Sequence, residues 1–380
     1  MRLKSSLKQI RLKGTIIFLL WTGFCLCFLS GCSKRKPTEP PPSPKAYMLY
    51  IVNNSRGCVY EVDTNTATVV DTIYFGDPPF GTMLLGISPD GSILYVYIPE
   101  HHAFYEIDTR TKEIKYTGSN SSVYISPDGK YLFTSRCGSS GKKGICVIDA
   151  CTHQYLCYDT TYEIGPFGSL TFDRKSPRVY GILDLGGVGV FNYQTFSWER
   201  TFEIVSSEYE GIKLGLSALI LSPDGKTLYF TGGFSSIGTF GVYDLTEDSL
   251  VFEYHVLLAP EHSLFQLAYL AISPDGRYVY VTDPGGYQLW PPYPEGEIWV
   301  FDTQDYTFSF ISTDTIVPPG LAGSMATCDI EVTPDGKKAY VSDWWYTIVV
   351  INLETNNIID TIQVEKGGYK ATYLAIQTRP

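Results

Sequence analysis

Ile272-Ser273-Pro274-Asp275-Gly276-Arg277-Tyr278-Val279-Tyr280-Val281 is the stretch whose reading decides the fold. Its centre recurs as Ser88-Pro89-Asp90-Gly91, Ser126-Pro127-Asp128-Gly129, Ser222-Pro223-Asp224-Gly225 and Thr333-Pro334-Asp335-Gly336, with a worn copy at Phe172-Asp173-Arg174-Lys175. Proline presets φ for the first central position of a turn, Asp suits the second, and Gly accepts the left-handed position after it. An apolar stretch precedes each copy, and a β-branched or aromatic run follows. Each phrase therefore predicts a tight turn between two antiparallel strands.

A second phrase follows about 20 to 30 residues later in each unit: an alternating apolar run that ends in Asp or Asn before a polar turn. It reads Val59-Tyr60-Glu61-Val62-Asp63-Thr64, Phe104-Tyr105-Glu106-Ile107-Asp108-Thr109, Cys146-Val147-Ile148-Asp149 and Val190-Phe191-Asn192. It continues as Val242-Tyr243-Asp244, Ile298-Trp299-Val300-Phe301-Asp302-Thr303 and Val349-Val350-Ile351-Asn352. A further strand follows each of the seven. Seven units of four strands predict an all-β chain, a seven-bladed β-propeller of four-stranded antiparallel blades. The unit starting at Ala46 has no first strand, while Ala371-Thr372-Tyr373-Leu374-Ala375-Ile376 reads as a first strand alone. The C-terminal strand is thus expected to join the N-terminal blade and close the ring.

The expected blades are 46–76 with 370–378, 82–118, 121–161, 167–205, 216–258, 267–316 and 327–365. The domain is placed at 46–380. Residues 1–14 are basic, and Thr15 to Phe28 are apolar but too few to span a bilayer comfortably. Basic, apolar and small-residue segments in that order predict a signal peptide over 1–31. Leu29-Ser30-Gly31-Cys32 resembles a bacterial lipobox. That resemblance implies cleavage before Cys32, a lipid on Cys32, and export to the outer membrane or cell surface, since Ser33 is not the Asp of an inner-membrane signal. Ser33 to Lys45 holds five prolines and reads as a semi-extended tether over 32–45. Loss of Arg2, Lys4, Lys8, Arg11 and Lys13 with the leader takes the net charge from −11 to −16. That acidity argues against nucleic acid as a partner.

Outside Cys32 and the leader the cysteines are Cys58, Cys137, Cys146, Cys151, Cys157 and Cys328. Four crowd into the third blade, where export permits disulfides. The hairpin layout favours Cys137–Cys146 and Cys151–Cys157. A four-thiolate metal site is the rival, and its spacing departs from the usual paired pattern. A Cys58–Cys328 bridge between adjacent blades and buried thiols are both open.

No catalytic residues can be assigned. The chain has no His-Glu-x-x-His, no phosphate loop and no Gly-x-Ser-x-Gly elbow. Gly186-Gly187-Val188-Gly189 reads as a hairpin, His153 and His255 read as surface residues, and no cofactor or metal motif is present. The connections between second and third strands share a rim with the links between blades, and this rim is elaborated in blades 4 to 7. It carries Tyr287, Trp290 and Tyr293 in one loop and Trp344 and Trp345 in another. Rigid aromatics on exposed loops suit a protein or carbohydrate partner; packing over the barrel mouth is the other reading. His101, His102, Glu261, His262, Asp283 and Asp343 are the polar residues of the same rim. They are either solvated loop residues or a metal or acid–base site at the channel mouth.

The repeats resemble the YVTN-type β-propeller repeat family of bacterial and archaeal surface proteins. Ser273-Pro274-Asp275-Gly276-Arg277-Tyr278-Val279-Tyr280-Val281-Thr282-Asp283 carries the resemblance, as do Thr333 to Asp343 and the turn Asp63-Thr64-Asn65-Thr66. The likeness covers nearly all of 46–378, and blades 3 and 4 are degenerate. Relatives of this architecture include lactone hydrolases, a streptogramin-type lyase and amine dehydrogenase subunits, and none of their catalytic residues maps onto this chain. The resemblance implies a scaffold, and function does not follow from a scaffold. The expected role is a binding scaffold at the long-loop rim; the alternative is a lactonase-like hydrolase or lyase at the channel mouth.

Overall fold

The computed structural model describes residues 47–378, apart from 54–55, 76–83, 99–100, 102, 117–122, 138–141, 165–169, 184–186, 205–214, 235–236, 258–268, 283–296, 314–326, 344–346 and 365–372. The leader, Cys32 and the tether lie outside the described residues. No α-helix occurs among the described residues. Seven antiparallel sheets, each of four strands, form the ring that the repeats predict. In six blades the strands follow chain order. Blade 1 takes its first strand, Leu374–Thr378, from the far end of the chain. That strand pairs with Tyr47–Asn53, in the register Tyr47 to Thr378 through Ile51 to Leu374.

Each serine-proline turn is closed by the same bonds. The Ser or Thr hydroxyl donates to the Asp carboxylate at 2.6 to 2.7 Å in all five copies. It accepts the amide of the residue that opens the second strand at 2.9 to 3.0 Å. The five glycines have φ between +68° and +77°, where a Cβ is strained. These bonds hold the Asp90, Asp224 and Asp275 carboxyls below their usual range, the serine hydroxyl being the largest cause.

The turns also touch one another around the rim. A Cβ built on Gly129 would meet the Pro89 ring at 3.4 Å, and one on Gly276 or Gly336 would meet Pro223 or Pro274 at 3.2 Å. These three prolines thus rest on the turn glycine of the next blade, while Gly91 meets Gln377 and Gly225 meets Asp173. Blade 4 breaks this sequence. Its turn runs Asp173-Arg174-Lys175-Ser176, so Arg174 stands where the proline belongs and Ser176 where the glycine belongs.

The second set of turns holds a further regularity. Four residues after each terminal Asp or Asn lies a residue with φ between +51° and +63°: Ala67, Lys112, His153, Phe196, Asp248, Tyr306 and Asn356. None is glycine, although this region costs an ordinary residue of order 1 kcal/mol. Six of these seven reach the preceding blade. Lys112 pairs with Glu61, and His153 Nε2 lies 2.7 Å from Glu106. Asp248 binds Arg200 at 2.6 Å, and Phe196 meets Tyr131 edge-on. Tyr306 packs on Phe252, and Ala67 on the cluster shared with blade 7. The strained turn aims a side chain across the blade boundary.

Seven hydrophobic clusters fill the seven boundaries. Tyr50, Val52, Leu94 and Val96 join blades 1 and 2, and Tyr95, Phe104, Leu132 and Ile148 join blades 2 and 3. The seam has its own: Leu49, Ile51 and Leu374 pack with Tyr340, Ile348 and Val350 of blade 7. Apolar residues on both faces of each blade are what face-to-face packing of neighbouring sheets requires.

Candidate functional site

First strands of neighbouring blades touch, so these strands surround the axis. They run from the rim of the long connections to the rim of the serine-proline turns. Near the long-connection end, one position of the inner strand is occupied by Tyr269 in blade 6, Asp329 in blade 7 and Tyr373 in blade 1. The registers fix this equivalence. Leu270 pairs with Val281, Ile330 with Val341 and Leu374 with Ile51, each one residue further along. The Tyr269 hydroxyl donates to the Tyr373 hydroxyl at 3.1 Å, reaching past blade 7.

Asp329 Oδ2 accepts the amide of Leu374, in the closing strand, at 2.9 Å. Its Oδ1 accepts the amide of Ile330 at 2.9 Å, and its own amide donates to Ser342 Oγ at 3.0 Å. Two residues on, and hence on the same face of the strand, stands Glu331. It is opposite Tyr340, which belongs to the seam cluster. Both carboxyls are half-buried. Burial pushes Asp329 up to about 6, opposed by the Leu374 and Ile330 amides. Burial also holds Glu331 well above the usual carboxylate range, and the Asp329 charge adds to this while Arg174 opposes it. Two neighbouring carboxyls whose titration is raised towards neutrality can hold a proton between them and can donate or accept one.

Neither carboxylate is among the residues singled out from the sequence. The signal was available in an alignment of the inner strands. Glu331 falls where the other turns are preceded by Gly86, Tyr124, Ile220 and Ala271.

The expected rim residues are distributed differently. Glu261, His262, Asp283, Tyr287, Trp290, Tyr293, Trp344 and Trp345 lie outside the described residues, as does His102. The described strands on either side of two of these segments end at Thr282 and Asp343 and resume at Glu297 and Thr347. Asp343 closes its strand opposite Thr327. His101 is on the same rim in blade 2, but its Nδ1 is 2.8 Å from the Tyr105 hydroxyl, so it is engaged within its own blade. Among the described residues no three His, Cys, Asp or Glu side chains gather as a metal would need.

The histidines read as surface residues have structural partners. His153 bridges blades 2 and 3 through Glu106, and His255 Nδ1 lies 3.1 Å from Thr239 Oγ1. The cysteines need one correction. Cys151 and Cys157 carry free thiols, so the bridge expected between them is not formed. Cys151 is exposed in the turn, its amide held by Asp149 Oδ1, while Cys157 sits opposite Val147 against the blade 3–4 cluster. Cys137 stands opposite Lys142 and Cys146 opposite Thr134; Cys146 is disulfide-bonded, and the side chain of Cys137, its expected partner, lies outside the described residues.

No protein-family model matches the chain. No curated protein matches it either. Solved structures do. The Kuenenia stuttgartiensis hydrazine synthase superposes with a TM-score of 0.59 at 16% identity, over 79% of this chain and 91% of that one. The dihydro-heme d1 dehydrogenase NirN, in complex with DHE, gives 0.56 at 12% identity, over 86% and 74%. A chain of the mitotic checkpoint complex gives 0.52 at 13% identity, over 74% and 77%. Identities this low establish the fold alone: the chain is a seven-bladed β-propeller.

Proposed function

We propose that the chain is an exported lipoprotein, anchored through Cys32, whose YVTN-like propeller binds a protein or carbohydrate partner on its long-connection rim. The observation that carries this reading is the difference between the two rims. One is built of short, repeated, internally hydrogen-bonded turns. The sequence assigns to the other the long connections of blades 4 to 7 with their tryptophans and tyrosines, and the inner strands bring Tyr269, Asp329 and Tyr373 level near that end. Rigid elements below and varied loops above are the usual division of labour in a binding domain. The test is joint replacement of Trp290, Trp344 and Trp345 by alanine, with binding read on a glycan array and by cross-linking in intact envelopes. Binding should weaken while the melting temperature holds; unchanged binding removes this rim.

A second reading has one specific observation in its favour, the Asp329–Glu331 pair with its elevated titration. It suits a hydrolase or lyase, lactonase-like, that needs a protonated carboxyl beside an ionised one. Turnover across a panel of lactones and esters, abolished by Glu331→Gln, supports it; no turnover with or without divalent metal counts against it.

A further inference from the structure

The break in the turn rim at blade 4 leaves a cleft. A proline ring covers the next glycine at three junctions, Pro89 on Gly129, Pro223 on Gly276 and Pro274 on Gly336, whereas Pro127 of blade 3 lines an open site with Ser176. A shallow, open depression of about 290 Å³ lies there, lined by Pro127, Asp128, Arg174, Lys175, Ser176 and Tyr193 with their neighbours. This volume lies at the small end of ligand pockets and is of monosaccharide scale. It is on the rim opposite the one proposed above for the partner, and it does not depend on that reading.

The walls of the cleft differ chemically. On one side Arg174 is exposed; its charge is felt by the axial Glu331, and its guanidinium keeps donors for a ligand. Beside it Lys175 donates to the Asp224 carbonyl at 3.1 Å and keeps further donors. On the other side the Asp128 carboxylate is already organised. It accepts from Ser126 Oγ at 2.6 Å and from the Lys130 amide at 3.2 Å, and lies 3.5 Å from Lys130 Nζ. Burial pushes its titration up, but the Ser126 hydroxyl and the Lys130 amide and charge together outweigh this and hold it below the usual range. The turn that presents Arg174 is itself fixed: Asp173 accepts the Lys175 amide at 2.8 Å and binds the Ser176 hydroxyl. Tyr193 is almost wholly buried and packs edge-on against Phe133, so the inner wall is firm.

We propose that this cleft binds an acidic sugar. The guanidinium of Arg174 takes the carboxylate or phosphate in a two-pronged contact. Asp128 accepts sugar hydroxyls, which a bare anion lacks, and the rings of Pro127 and Pro177 supply the apolar faces. An unsubstituted anion meets repulsion from Asp128, and a neutral sugar offers the Arg174 guanidinium no two-pronged acceptor.

The test is isothermal titration of the full chain in detergent with glucuronate, glucose 6-phosphate, glucose and inorganic phosphate, at about 0.15 M salt to screen diffuse attraction. At least one acidic sugar should bind at a single site with a Kd below about 1 mM, with no saturable heat from glucose. Glucuronate alone identifies a carboxylate ligand, glucose 6-phosphate alone a phosphate ligand. Arg174→Ala should weaken binding at least about tenfold, the effect of losing one charge-assisted contact, with the ligand-free melting temperature unchanged. Should that variant not fold, Lys175→Gln should weaken binding by at least about threefold. The proposal fails if neither acidic sugar saturates, if the variants bind as the parent does, or if inorganic phosphate binds as tightly as the sugars.

Discussion

His153 Nε2 lies 2.7 Å from a Glu106 carboxylate oxygen, across the boundary between blades 2 and 3. His153 is in a left-handed turn and is one-third exposed; Glu106 is nearly buried on a third strand. Removing the histidine strands a buried carboxylate, which costs more than the contact itself contributes. His153→Ala should lower the unfolding free energy by about 1 to 3 kcal/mol, and Glu106→Gln in that background should restore part of it. Urea denaturation of the two single variants and the double variant measures this. Additive losses show that the two residues do not interact.

The left-handed turns permit a gain of stability. Ala67 has φ +52° and a single methyl to lose. Glycine relieves the backbone strain, a gain that the added entropy of the unfolded chain offsets in part, so Ala67→Gly should stabilise the fold by less than about 1 kcal/mol. Phe196→Gly should destabilise it, because the ring packs against Tyr131. The melting temperatures of the two variants should therefore move in opposite directions.

Gly276 tests the contact between turns. At φ +76° and with Pro223 at 3.2 Å from a built Cβ, alanine is strained twice. Gly276→Ala should cost about 1 to 3 kcal/mol. Ser176→Thr, at the broken position of blade 4, keeps the hydroxyl that binds Asp173 and should cost less than about 0.5 kcal/mol. Equal losses would show that the proline contact has no energetic weight.

The axial carboxyls give stability a pH dependence of definite sign. Asp329 titrates near about 6 in the fold, above the ordinary 3.8. The folded state therefore binds the proton more tightly. Its contribution is full below the ordinary value and is lost as pH rises through about 6. Glu331 acts in the same direction. Glu331→Gln should flatten the fall in melting temperature between about pH 4 and 7 and raise it at neutral pH. An unaltered profile would mean that these groups are ionised without penalty.

Much of the architecture was legible because its signals are local. Ser273-Pro274-Asp275-Gly276 makes its turn with its own side chains, and the seven runs that end in Asp or Asn set the count of blades. The closing strand was visible as a first strand lacking partners. The link between Lys112 and Glu61 was not legible, since it joins residues 51 positions apart through a left-handed turn that the sequence marks with no glycine. Asp329 and Glu331 escaped notice because each is ordinary by itself; only the ring brings Asp329 level with Tyr269 and Tyr373. Blade 4 was read as a worn copy, and its departure from the phrase is what opens the cleft at Arg174.

The pairing of Tyr47 with Thr378 has a mechanical consequence. Their strands run antiparallel, and these two residues sit side by side at the same end of the seam. Tension applied through them pulls perpendicular to the strands. It loads the hydrogen bonds one pair at a time, like a zip, instead of all together in shear. The seam between Tyr47 and Ile51 is thus the place where a stretched chain gives way first, while the other six sheets, each continuous in sequence, carry no load until it has opened.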